Sequence, residues 1–127
     1  MNRTEPIPSG IRLQRLIQNC HAEILGREKN NDKFIHLYSI GTYWVAFERS
    51  ACWLNSIFLQ CEISLFMIPD RLDYVVMASV SSDEFTACFH KYKISQEGFN
   101  YKVLEVKPLG TEYYQKWHMG AVRSVIC

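Results

Sequence analysis

Leu37 to Ala51 reads LYSIGTYWVAFERSA, two β-type runs hinged on one glycine and followed by a polar segment that opens a helix. Glycine takes positive φ without steric cost, so Gly41 turns the chain sharply between two short strands. The corner brings Tyr43 and Trp44 to the rim of a sheet, where an aromatic ring can meet a flat partner. Alternation along the strand sends one of the two rings inward whatever the other does.

From that corner the pattern extends both ways. Phe34 to Ile40 reads as the first strand and Tyr43 to Phe47 as the second, paired through Gly41-Thr42. Upstream, Ile11, Leu13, Leu16, Ile17, Cys20, Ile24 and Leu25 recur at gaps of three and four, an amphipathic helix capped by Ser9 and ended at Gly26. Downstream, Ala51, Leu54, Ile57 and Phe58 fall at helical spacing. Ile63, Leu65 and Met67 then alternate, so a third strand runs to Ile68 and stops at Pro69-Asp70. Tyr74 to Ala78 is a central strand.

Ser81, Ser82, Asp83 and Glu84 form a helix start, because hydroxyls cap free amides and acids complement the positive end of the dipole. Phe85, Cys88, Phe89, Tyr92 and Ile94 supply the buried stripe of that helix, which is expected to end at Gly98. Phe99 to Val106 is the fifth strand, and Lys107 to Gly110 breaks it. The expectation is one α+β domain over residues 1–127, a mixed five-stranded sheet flanked by helices. Residues 1–9 are a flexible N-terminus, and 111–127 form a C-terminal extension packed on or near the sheet.

Composition narrows the function classes. An apolar fraction of 48% is ample for one core. Lys and Arg total 14 against 13 for Asp and Glu, spread along the chain, so there is no basic stripe of the kind that gives a dedicated DNA-binding module its phosphate affinity. Five cysteines without a CxxC pair read as buried thiols and a cytoplasmic setting. No apolar stretch reaches the ~18 residues that would cross a bilayer, so no membrane partner is expected. His36, His90 and His118 have no metal-ligand spacing, and Cys88 and His90 point to different faces of a helix, so neither a metal, a cofactor nor a catalytic site is expected. Lys91, Lys93, Lys102 and Lys107 could line one edge of the last helix and strand as a small phosphate-binding surface. The tail aromatics Tyr113, Tyr114 and Trp117 either close the core or face a protein partner.

The order of elements, together with LYSIGTYWVAFERSA and the segment MASVSSDEFTACFHKYKISQEGFNYKVLEV, resembles the N-terminal mismatch-recognition domain of the MutS DNA repair proteins. That family carries a motif close to FxxxGDFYExFxxDA and a later GxPxHAxxxYLxxLxxxGxxVAxxEQ segment. Gly41 falls on the motif glycine, Tyr43 on the phenylalanine, Trp44 on the tyrosine, Phe47 on the next aromatic and Ala51 on the closing alanine. Phe85, Gly98, Val103 and Glu105 fall on or near the tyrosine, glycine, valine and glutamate of the second segment. Val45 stands where the family has its base-contacting glutamate, Tyr43 replaces the wedge phenylalanine, and 78–82 lacks the glycine and histidine of GxPxH.

The resemblance implies a non-enzymatic binding module that contacts DNA or RNA through Tyr43, with Trp44, Thr42 and Lys102 beside it. It also implies a stand-alone accessory protein similar in size to those found beside reverse transcriptases in diversity-generating retroelements. A reverse transcriptase or another nucleic-acid-processing protein is then the expected partner. The alternative is an assembly subunit that keeps the fold without binding nucleic acid.

Overall fold

The computed structural model describes residues 9–58, 60–68 and 73–126. Helix α1 spans Ser9–Glu28, strand β1 Phe34–Ser39, β2 Tyr43–Phe47, helix α2 Glu48–Ile57, β3 Glu62–Phe66, β4 Val75–Ser81, α3 Ser82–Cys88, β5 Lys93–Glu97, β6 Tyr101–Glu105 and α4 Thr111–Ile126. The expected turn at 69–72 and the segment 1–8 lie outside the described residues.

The strands form one six-stranded sheet in the order β3-β4-β2-β1-β6-β5, and every neighbouring pair is antiparallel. This corrects the expectation of a mixed sheet with five strands. The additional strand is β5, KISQE, and it comes from the region read as the end of the third helix. That helix stops at Cys88, a 3-10 turn covers Phe89–Lys91, and the chain reverses into a hairpin with β6. Tyr92 and Ile94 do pack inward, but from a turn and an edge strand rather than from a helical stripe. An edge strand buries few residues, so its sequence lacks clear alternation and a helical period fits it by accident.

The sheet separates two clusters. On one face α1 covers Tyr38, Ile40, Val45, Phe47, Ile68, Val75 and Met77 with Ile24, Leu13, Leu16, Ile17 and Cys20. On the other, Ile35, Leu37, Trp44, Ala46, Ala78, Val80 and Leu104 pack with Ala51, Leu54 and Phe85, closed by Trp53, Ile57 and Trp117. The period-2 alternation of β2 makes the division: Trp44 and Ala46 go to one cluster, Val45 and Phe47 to the other. Gly26 lies inside α1 rather than ending it.

Among the described residues, two backbone positions take the left-handed region. Gly41, with φ 103°, makes the β1–β2 corner, where Ile40 N donates to Tyr43 O at 3.0 Å. Glu48, with φ 51°, makes the sharp passage from β2 into α2, a conformation that disfavours any side chain other than glycine's. At the start of α3, Ser81 Oγ accepts from Glu84 N at 3.2 Å and donates to Glu84 Oε1 at 3.4 Å, a hydroxyl cap, and Ser82 N donates to Thr42 O, which fixes the helix beside the Gly41 corner.

Candidate functional site: an aromatic corner, a lysine groove and a clasped cleft

Tyr43 and Trp44 part company at the corner. Tyr43 is 41% exposed, whereas Trp44 is 7% exposed and packs against Phe85 at a ring separation of 5.4 Å. Trp44 is therefore an anchor and Tyr43 the presented ring. Thr42 is exposed on the turn, and its carbonyl accepts from Ser82 N at 2.9 Å. Lys102 sits on the other side of Trp44 with Nζ 5.5 Å from the indole centroid and 2.8 Å from Glu97 Oε2. Its charge is thus shared with the exposed carboxylate of Glu97 on the neighbouring strand.

A second aromatic lies at the same end of the sheet. Phe99, at the tip of the β5–β6 hairpin, is 92% exposed, and its neighbour Asn100 accepts from Ser39 N at 2.9 Å. Ser39 in turn pairs with Trp44 across β1 and β2. β2 and β6 flank β1, so Tyr43 and the Phe99 tip stand about 10 Å apart, two strand spacings.

Three of the four lysines read as one edge do come together, and Lys102 does not join them. Lys93 pairs with Glu105 in the β5–β6 register, so Lys91 two residues before and Lys107 two residues after flank the open end of that hairpin. With Trp53, Tyr92 and Val106 they line a groove of about 440 Å³.

The most elaborate polar site was not legible in the sequence. An open cleft of about 800 Å³ lies between α1, α2 and α4, bordered by Gly26, Lys29, Glu48, Arg49, Tyr74, Tyr114 and His118. Glu48 Oε2 accepts from Tyr114 Oη at 2.6 Å and lies 2.9 Å from His118 Nε2. That hydrogen bond holds the His118 imidazolium above the ordinary histidine value, against the opposing effect of burial. Burial and the adjacent carboxylate push the Tyr114 phenol far up, so it stays a donor. The Arg49 guanidinium covers the Tyr114 ring at 4.8 Å. Both His118 and Tyr114 donate to one carboxylate oxygen, so the group clasps α4 to the start of α2.

Beneath it Glu28, 3% exposed, accepts from Ser50 N at 2.9 Å, Ser50 Oγ at 2.6 Å and Asn31 Nδ2 at 3.2 Å. Burial nevertheless raises its carboxyl to about 7. Ser50 Oγ also accepts from His36 N, tying the end of α1 to the start of α2 and to β1. His36 itself is lowered to about 4 by burial and by Arg27. Cys20, Cys52, Cys61 and Cys88 are free thiols, and burial pushes Cys52 up to about 12, which leaves it unreactive. Among the described residues no helix is long and apolar enough to cross a membrane, and no group of three or more His, Cys, Asp or Glu side chains is arranged to hold a metal ion.

No family model, curated protein or solved structure matches this chain.

Proposed function

We propose that the chain is a stand-alone, non-enzymatic binding module of MutS mismatch-recognition type that contacts nucleic acid through the Gly41 corner. The observation that carries this reading is the split of adjacent rings: Trp44 is seated in the core and holds the strand, which leaves Tyr43 at the rim with about two-fifths of its surface exposed. A base stacked on such a ring gains about 1–3 kcal/mol, whichever base it is. Phe99 offers a second face on the same edge. Asp83, Glu84 and Glu97 lie near this end, so the corner itself attracts few phosphates and binding there should depend weakly on salt. In such a role the protein would serve a nucleic-acid-processing partner such as a reverse transcriptase.

The reading is tested by fluorescence anisotropy with a labelled single-stranded or mispaired oligonucleotide at low salt. Tyr43→Ala should weaken binding by more than Lys102→Ala does. Equal, negligible binding by the wild type and both variants would remove it.

A second reading, an assembly subunit, is favoured by α4. Met119 and Ile126 are more than half exposed and Val122, partly exposed, lies between them at helical spacing, an apolar flank on a helix whose other side holds Trp117 and Ala121 against the fold. Sedimentation of the purified chain tests self-association through this flank: a monomer at all concentrations, unchanged by Met119→Glu, would count against it.

A further inference from the structure

We propose that the groove between the β5–β6 hairpin and α2 is the track for the sugar-phosphate backbone of a single strand; this rests on the nucleic-acid reading above. The sheet register makes the site. Antiparallel pairing sets Lys93 opposite Glu105, and the chain on either side of that pair brings Lys91 and Lys107 to the same hairpin end. Three ammonium groups thereby converge on one groove against a single carboxylate, Glu105, which lies 3.5 Å from Lys93 Nζ. Lys91 and Lys107 are both exposed. In a chain of formal net charge +1, this is a local excess of positive charge that composition conceals.

The wall of the groove is suited to the same occupant. Trp53 and Tyr92 supply aromatic surface against which a sugar or a base can pack. β6 runs from Tyr101, near the aromatic rim, to Glu105, at the groove, which is four residue steps or about 13 Å. Two or three nucleotides of extended strand cover that distance at roughly 6 Å each, so one oligonucleotide can lay its backbone between the lysines and stack on Phe99. With about two nucleotides more it can pass over the rim to Tyr43, which lies two strands further on and on the α1 face. Charge decides against an apolar occupant. An acidic protein segment is the competing occupant and is included in the test.

The experiment is a salt titration of a labelled oligothymidylate of about ten nucleotides, alongside a polyglutamate peptide of equal charge, with the full chain and two variants. For the double variant Lys91→Gln, Lys107→Gln, the slope of log K against log salt should fall in magnitude by about 1.4, some 0.7 for each lost phosphate contact, with affinity about tenfold lower at low salt. Tyr43→Ala should weaken binding while leaving the slope unchanged. If the oligonucleotide binds in a Tyr43-dependent way but the double variant has the wild-type slope and affinity, the groove proposal fails and the corner reading survives. If no oligonucleotide binds, both fail. If polyglutamate binds as tightly and with the same lysine dependence, the groove belongs to an acidic protein and the proposal is overturned. The lysine substitutions are on exposed side chains, and an unchanged urea midpoint verifies that each variant is folded.

Discussion

Glu48 and His118 are joined, Oε2 to Nε2, at 2.9 Å, so the first residue of α2, itself in a left-handed backbone conformation, is fastened to the middle of α4. The same carboxylate oxygen takes the Tyr114 hydroxyl. The clasp, with the hydrogen bond that Trp117 Nε1 donates to Asn55 Oδ1 at 3.0 Å, holds α4 on the fold although Ala121 is the one buried residue along its length. It also offsets the backbone cost at Glu48, of order 1 kcal/mol for a non-glycine residue in that region.

The clasp should make stability depend on pH in a defined direction. His118 is raised in the folded state, so its contribution is fully present below the ordinary histidine value of 6.5 and is lost as pH rises through the raised folded value. His118→Gln should cost roughly 1–2 kcal/mol near pH 6, the range for a hydrogen bond to a charged group, and less near pH 9. Urea unfolding of both proteins across this range is the measurement. A gap of constant size at every pH would show that His118 does not act through its charge.

Glu28 should produce a separate dependence. Its carboxyl is raised to about 7 by burial, so the fold is favoured while the group is protonated and loses stability as pH rises from 4.5 through 7. Glu28→Gln keeps the acceptor for Ser50 N and places an amide where Ser50 Oγ now donates. The variant should match the wild type near pH 5 and exceed it near pH 8 by on the order of 2 kcal/mol. His36, lowered to about 4, makes the fold lose stability as pH falls below 6.5 in both proteins, so their difference isolates Glu28. A variant less stable than wild type at pH 8 would mean that the ionised carboxylate is the better partner for Ser50 and Asn31.

Gly26 gives a cleaner expectation. It lies inside α1, and a Cβ built there meets nothing within 4 Å. Replacing it with alanine removes backbone freedom from the unfolded chain without a clash, so Gly26→Ala should stabilise the protein by about 0.5–1 kcal/mol. A loss of stability by urea unfolding would show that the cleft wall tolerates no added side chain.

The parts of this structure that were legible in the sequence are those where one physical signal dominates. The Gly41 corner, the inward turn of one of the two rings at Tyr43 and Trp44, and the Ser81 hydroxyl cap each follow from a local rule, and each lies where that rule puts it. β5 was not legible because only Ile94 of its five residues turns inward, and a single apolar residue fits either period. The clasp was not legible either. Glu48, Tyr114 and His118 are some 66 to 70 positions apart, and nothing in their local spacing announces that α4 folds back over the start of α2. The lysines were an intermediate case. Their proximity in sequence suggested one edge, but strand pairing assigns Lys102 to the opposite end of the hairpin, where it neutralises Glu97.

The division of labour between Tyr43 and Trp44 has a consequence for stability that is independent of any ligand. Trp44 is buried, with Phe85 against its ring and the Lys102 ammonium 5.5 Å from its centroid, so Trp44→Ala leaves a cavity and should cost about 3–5 kcal/mol. Trp44→Phe, which keeps a ring against Phe85, should cost roughly 1 kcal/mol and remain folded if the alanine variant does not. Tyr43→Ala removes a ring that is 41% exposed at the rim and should cost less than Trp44→Phe, about 0.5 kcal/mol. Urea midpoints for the three variants decide the matter. If Tyr43→Ala proves as costly as Trp44→Phe, then Tyr43 is holding the corner together, and a ring committed to packing is not available to a base.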